Sequence, residues 1–406
     1  MVENSVKGDY TGQPAPLFNI ALKNAVLTLV TLGFYRFWAR TRERKYMWSA
    51  IRPDGTALEY NGNGLEKFLG FLIAVAFLAI YLGVFQVLLS FGGYALFEVD
   101  ERTGIGIPGL LFSISPILLL PLIFYAQYRG RRYVLSRTRW RGIRFGAEKK
   151  AWPYVRKALW ELFLVVLTLG ILYPRMVFKL EEFRTNHSYF GNAQFHQGGR
   201  WQSLYGAAKQ FYIAIGILVF FAVILIANGG SIVGGGAGFL AALAFFVGYI
   251  WLIVGVIAFR ANAWRMMAND KTLGGKISFV SEMNTPTVVK RTIFGFIGVG
   301  FVAGLVATVT SLILASVLGG FSSNFVEALT RGDVAGLIGI VIFYLVFFTS
   351  FVVLTLVWVT QPVLREYVST LHIQNPEALD EIIQREGDDF VEAEGFADAL
   401  DVGAAI

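Results

Sequence analysis

Ala158-Leu159-Trp160-Glu161-Leu162-Phe163-Leu164-Val165-Val166-Leu167-Thr168-Leu169-Gly170-Ile171-Leu172-Tyr173 decides how this chain meets a membrane. The stretch is apolar enough to enter one, but it is shorter than the roughly 20 residues needed to span about 30 Å of hydrocarbon, and Glu161 lies inside it. Six other stretches, 68–90, 107–128, 211–233, 237–259, 293–319 and 336–360, reach that length without a charged residue. They fall into three pairs with short connections and read as three transmembrane hairpins. If 158–173 also crossed, the basic segments on its two sides would face opposite compartments and every later span would invert. If it does not cross, all of the 35 Lys+Arg except Arg102 and Arg331 lie on one side. The positive-inside bias prefers the second arrangement. The stretch is therefore expected to be re-entrant or interfacial, and 17–34, with Lys23 inside it, likewise.

Composition agrees with a lipid solvent. Of 406 residues, 55% are hydrophobic and 16% charged, and the mean hydropathy is +0.58; a soluble domain carries about 25% charge. Phe 36, Tyr 17 and Trp 9 are incompatible with disorder of the whole chain. With Cys 0 there is no disulfide or thiolate chemistry. The polar N-terminus lacks the pattern of a cleaved signal, and both termini are expected in the cytoplasm. The expected fold is an all-α membrane protein of six transmembrane helices in three hairpins, with two short re-entrant or interfacial helices and small cytoplasmic β-containing caps. Its segments are 1–67, the first short helix and basic unit; 68–128, the first hairpin; 129–210, basic units around the second short helix; 211–259, the second hairpin; 260–292, a cytoplasmic unit; 293–360, the third hairpin; and 361–406, an acidic tail. The net charge of +7 divides into −9 on that tail and +16 on the rest.

A unit recurs between the hairpins. Thr31-Leu32-Gly33-Phe34-Tyr35 returns as Thr168-Leu169-Gly170-Ile171-Leu172-Tyr173, each time closing an apolar stretch and opening a basic, aromatic helix. Such a helix leads to a polar turn with Gly and an aromatic, most clearly in Thr138-Arg139-Trp140-Arg141-Gly142-Ile143-Arg144-Phe145. Arg36, Arg40 and Arg44 form a stripe at i, i+4 beside Trp38 and Trp48. With Arg139, Trp140 and Arg141, they are the candidate contacts to anionic lipid headgroups. Nucleic acid is not expected, because these groups repeat at membrane exits.

The run Leu27-Thr28-Leu29-Val30-Thr31-Leu32-Gly33-Phe34-Tyr35-Arg36-Phe37-Trp38-Ala39-Arg40-Thr41-Arg42, followed by Arg44-Lys45-Tyr46-Met47-Trp48, resembles the N-terminal signature of the YjgN family of bacterial inner-membrane proteins. The stretch 167–174 with Phe183-Arg184-Thr185-Asn186-His187-Ser188-Tyr189-Phe190-Gly191-Asn192 is similar to its second signature. The resemblance extends to about Gln374. It implies a multi-pass protein of the bacterial inner membrane and, since the family is catalogued as a domain of unknown function, transfers no catalytic residue. The first unit departs from the pattern, with Ala50-Ile51-Arg52-Pro53 in place of an Asn-Thr pair before Asp-Gly.

Convergent chemistry is sparse, and no enzyme, cofactor or metal is expected. His187 and His196 stand at a spacing that matches no usual zinc pattern. The six long runs contain no ionisable residue except tyrosine, so polar groups near the membrane reduce to Lys23, Asn24 and Glu161. These are the candidate lining of a cavity formed where the short helices dip in. Gly295, Gly298, Gly300 and Gly304 permit close helix packing in a compact bundle. The expected partners are the lipid bilayer, its anionic headgroups and, as an option, further copies of the chain. The tail is expected to form a short helix over 377–386 and to fold back on the basic units. Two functions remain: transport or permeation of a small solute or amphiphile, and a membrane scaffold or anionic-lipid-binding protein without transport.

Overall fold

A computed structural model describes residues 5–91, 107–227, 235–318 and 334–385. Arg102 and Arg331, the two cations expected on the opposite side, and the acidic tail beyond 385 lie outside the described residues. The helices are α1 (Pro14–Val30), α2 (Arg36–Ser49), α3 (Gly64–Phe91), α4 (Ile107–Ser136), α5 (Ala151–Leu167), α6 (Tyr173–Asn186), α7 (Leu204–Ala207), α8 (Lys209–Ala227), α9 (Gly235–Asn269), α10 (Thr285–Leu318), α11 (Val334–Thr355) and α12 (Gln361–Ser369). A π-helical turn, Leu356–Thr360, joins the last two.

Among the described residues, five helices are long and apolar enough to cross a membrane: Gly64–Val87, Lys209–Ala227, Gly238–Asn269, Thr285–Val317 and Val334–Ser369. α4 is also long, at 30 residues. α8 packs along α9 and α10 along α11, while the Tyr81 hydroxyl of α3 donates to Leu118 O of α4 (3.1 Å). The outer faces are apolar: Phe77, Phe220, Phe246, Phe301 and Phe348 are each more than half exposed. A surface of that extent calls for lipid rather than water. α1 and α5 have 17 residues each, about 25 Å at 1.5 Å per residue, which is short of the hydrocarbon thickness.

Small separate caps were expected beside the helices; one shared sheet stands there instead. β1 (Ser5–Lys7), β2 (Glu59–Tyr60), β3 (Thr138–Trp140), β4 (Ile143–Ala147), β5 (Ser188–Phe190), β6 (Ala193–Gln197), β7 (Lys271–Leu273), β8 (Ile277–Ser281) and β9 (Leu371–Gln374) form nine antiparallel strands in the order β1-β9-β8-β7-β6-β5-β4-β3-β2. The physical reason is edge satisfaction, since a lone hairpin leaves both edges unpaired. Here Phe145 faces Phe190 across β4–β5, Phe195 faces Leu273 across β6–β7, and Phe279 faces Ile373 across β8–β9. The two ends of the sheet are also tied, through a Tyr10–Ile51 bridge, Arg52 N to Asp9 O (2.8 Å) and Leu58 N to Ile51 O (2.9 Å). Trp140, Phe190, Leu273 and Ile373, from β3, β5, β7 and β9, meet in a common core.

The start of the tail closes this core. No α-helix forms over the described part of 377–386. A short 3-10 turn, Pro376–Leu379, is followed by extended chain, and Leu379 and Ile382 enter the core. Asn192 N donates to Ile383 O (2.9 Å), an attachment an α-helix would have withdrawn. Arg141 pairs with both Asp54 and Asp380, and Lys276 with Glu381. This much of the tail does fold back on the basic units.

Candidate functional site

The site begins with a helix turn built twice. Leaving α1, the Gly33 amide donates to Thr28 O (2.7 Å) and the Leu32 amide to Leu29 O (3.0 Å). Leaving α5, Gly170 donates to Val165 O (2.7 Å) and Leu169 to Val166 O (3.1 Å). This is the paired hydrogen bonding of a Schellman cap. Leu32 and Leu169 take the left-handed position, at φ 51° and 50°, where glycine would be cheaper by about 1–2 kcal/mol. Gly33 and Gly170 follow at φ 92° and 89°. The turn threonine fastens both sides: Thr31 Oγ1 donates to Leu27 O (2.8 Å) and accepts from Tyr35 N (2.9 Å), and Thr168 does the same with Leu164 O (2.7 Å) and Leu172 N (3.2 Å). At the tips, Leu32 and Leu169 are 91% and 94% exposed.

Each short helix has one buried polar residue seven positions before that threonine, Asn24 in α1 and Glu161 in α5. Asn24 Nδ2 donates to Ala39 O (3.1 Å) and to a Glu43 carboxylate oxygen (3.1 Å). Glu161 is held by Arg175 of α6 (3.4 Å). Lys23, their candidate companion, points outward and is exposed.

Beside Asn24 a cavity of about 270 Å³ opens between α1, α2 and α11. Its polar wall holds Asn24, Thr28, Arg36, Arg40 and Glu43; the opposite wall is Phe348, Val352, Val353 and Leu356. Leu356 begins the π-helical turn, a local irregularity often found at functional sites. Burial pushes the Glu43 carboxyl up, and the Asn24 hydrogen bond, Arg40 and Lys67 only partly pull it back. The cavity thus sets two arginines, an amide and a carboxyl on one wall against an apolar wall. Glu43 and the α11 wall were missed in sequence. The spacing Arg36, Arg40, Glu43, i, i+4, i+7 on one helical face, was the available signal.

The second helix pair carries a charge cluster instead. Glu181 receives Lys271 (2.7 Å), Arg184 (3.0 Å) and Arg131 (3.6 Å). Burial alone would raise its carboxyl, but these three cations hold it well below the usual carboxylate range. The remaining candidate headgroup contacts divide. Arg36 is exposed, and Trp38, Arg40 and Arg139 are half-buried. Arg44 is buried over the rings of Trp48 and Tyr60. Trp48 Nε1 donates to Thr138 (3.1 Å), Trp140 lies in the sheet core against Phe190, and Arg141 bridges two carboxylates. The sheet recruits these last residues because its strands bring aromatic and basic side chains of different units together. His187 stacks on Phe183 with Nδ1 at 2.7 Å from Phe183 O, and His196 faces Thr272 in the β6–β7 ladder. Among the described residues no group of three or more His, Asp or Glu is placed to hold a metal.

Residues 5–399 match the family described as "Bacterial protein of unknown function (DUF898)". The chain is similar to the inner membrane protein YjgN of Salmonella typhimurium (strain LT2), 27% identical over 165 residues, or 40% of this chain and 36% of that protein. It is similar to YjgN of Escherichia coli O157:H7 at 28% identity over 128 residues, 32% of this chain and 27% of that protein. The aligned part is thus little more than a third of the first relative's length. No solved structure matches the chain. The family match covers nearly every unit of the shared sheet and every long apolar helix, and the chain belongs to the DUF898 family of bacterial proteins, with the YjgN proteins among its relatives.

Proposed function

We propose that this protein binds an amphiphile with an acidic headgroup at the cytoplasmic leaflet of the bacterial inner membrane and moves it without chemical change. The cavity between α1, α2 and α11 carries the proposal: Arg36 and Arg40 stand on one wall and Phe348, Val352 and Val353 on the other. A headgroup would sit on the guanidinium groups and its chain would lie along α11, which faces lipid. In this reading α4 is the sixth span, the long helices form three hairpins, and both termini are cytoplasmic. The two helix pairs enter one leaflet to half depth, with Leu32 and Leu169 as lipid-facing tips. Their shared turn supports reading them as copies of one repeated unit.

Reconstitution into proteoliposomes tests it. A fluorescent anionic phospholipid should equilibrate between leaflets faster with protein than without, and R36Q/R40Q should abolish at least nine-tenths of the gain. Equal rates for variant and wild type would remove the cavity from the process. Cys 0 makes the chain a clean background for topology: a single cysteine replacing Lys7 should label only after the membrane is opened from the cytoplasmic side.

The second reading is a scaffold that binds anionic lipid without moving it. The nine-stranded sheet favours it, because strands from every unit are locked into one ladder. Saturable lipid binding with no flux would select this alternative.

A further inference from the structure

On another face of α2 lies a second cavity of about 330 Å³, where β2 hands the chain to α3. Trp38, Arg42 and Lys45 line one side, and the loop Asn61-Gly62-Asn63-Gly64 lines the other. Arg42 and Lys45 are exposed and stand at i, i+3. Among the described residues neither has a carboxylate within ion-pairing distance, whereas Arg137, Arg141, Arg175, Arg184, Lys271 and Lys276 each do. Arg42 lies over the Tyr35 ring at 5.4 Å, which leaves its planar donors available.

The loop packs tightly on the rings of α2 and β2. A Cβ on Gly64 would stand 2.6 Å from the Trp38 ring and one on Gly62 2.4 Å from the Tyr60 hydroxyl, so side chains are excluded from both positions. The Leu65 amide is held by Asn63 Oδ1 (3.1 Å) at the start of a helix of 28 residues. Glu66, the one acid in that first turn, is drawn away to Arg137 (3.0 Å) and the Tyr133 hydroxyl (3.0 Å), so it neutralises neither Arg42 nor Lys45. The charge-free run of α3 begins at Phe68, one turn further on, which sets the cavity at headgroup depth with Trp38 as an interfacial ring.

We infer that this cavity is a phosphate site: Arg42 and Lys45 take a phosphate monoester or diester by charge-assisted hydrogen bonds, with the opening turn of α3 adding its partial positive charge. It shares no cation with the first cavity and stands whether or not that one moves lipid. The phosphate comes from a lipid headgroup or from a soluble ester, and the two sources are separable.

The test is retention of phosphatidylglycerol against phosphatidylcholine by the purified full chain, read by native mass spectrometry, with inorganic phosphate as competitor. Wild type should prefer the anionic lipid or bind inorganic phosphate directly. Preference that persists against millimolar phosphate assigns a lipid headgroup; displacement assigns a soluble ester. In an R36Q/R40Q background, which removes the cations of the first cavity, R42Q/K45Q should lower the affinity at least tenfold. K149Q/R200Q removes two charges from exposed positions in the loops before α5 and α7, and should change it less than twofold. Equal loss in both double variants, or none in R42Q/K45Q, overturns the site. Should R42Q/K45Q fail to fold, K45Q alone alters one exposed side chain and should still cost at least threefold; an unchanged affinity there is equally decisive against it.

Discussion

The helix pairs α1–α2 and α5–α6 have the same lengths, the same left-handed leucine and the same threonine clasp, yet they bury opposite kinds of polar chemistry. At the ninth residue of the second helix, α2 buries Arg44 among aromatic rings while α6 places Glu181 among three cations. Seven residues before the turn, α1 buries a neutral amide and α5 a carboxylate. The second pair is fastened by charge to α4 and β7. The first leaves a carboxyl, Glu43, beside an open cavity with its ionisation opposed by burial. The same backbone geometry thus carries a charge cluster in one place and one wall of a cavity in the other.

Glu181→Gln should have the largest effect. Removing the charge leaves Arg131, Arg184 and Lys271 facing one another, and breaking a buried ionic group in this way costs about 3–5 kcal/mol. Thermal unfolding in detergent should show it, with a loss several times that of Glu43→Gln; equal losses would mean that the second pair is no anchor. A smaller effect comes from the short helices. Asn24→Leu removes two hydrogen bonds and leaves the Glu43 carboxyl with one fewer donor, for about 1–2 kcal/mol. Glu161→Gln should cost less, because Arg175 is 28% exposed and water can replace its partner.

Acidity sharpens the contrast, since the two carboxyls move in opposite directions. Glu181 is depressed, so the stability it contributes is complete above the unfolded carboxylate value of about 4.3 and disappears as pH falls through its folded value. Glu43 is raised, so its contribution is complete below that same value and is lost as pH rises through its folded value. Melting temperature followed from pH 3.5 upward should lose its acid limb in Glu181→Gln, whereas Glu43→Gln should remove a shallow decline above the carboxylate range. The same slope change in both variants would erase the distinction.

Much of this architecture was legible in the sequence. Charge-free runs marked the long helices, and Thr-Leu-Gly marked both turns, because hydrophobic length and backbone geometry are written locally. Asn24 and Glu161 stood out as polar residues in apolar stretches for the same reason. The sheet was legible only as fragments: that Phe145 meets Phe190, or Phe279 meets Ile373, depends on which strand edges remain unpaired after the helices pack. Trp140 illustrates the limit. In sequence it is an aromatic among arginines, suited to a headgroup layer, and only the alternation of β3 turns it into the core while Arg141, next in the chain, reaches Asp54 and Asp380. The α11 wall of the cavity is more than 300 residues from Asn24 and left no local mark.

The smallest expected effect bears on why the two pairs share a turn at all. Leucine at φ near 50° is strained, and replacing Leu32 or Leu169 by glycine should relieve about 1 kcal/mol in a medium indifferent to the tip. If both tips sit in hydrocarbon, the substitution also withdraws a side chain more than nine-tenths exposed on the protein from a favourable apolar surrounding, a loss of about 1.5–3 kcal/mol for a full leucine transfer. The balance therefore depends on the solvent. In a bilayer nanodisc Leu32→Gly and Leu169→Gly should each be destabilising by at most about 1–2 kcal/mol, and in short-chain detergent that clothes the tips loosely the effect should shrink or change sign. Equal behaviour of the two variants follows from the shared geometry, whatever each pair does with its buried charges. Stabilisation of both variants in the nanodisc would place the tips outside the hydrocarbon and make the short helices surface elements.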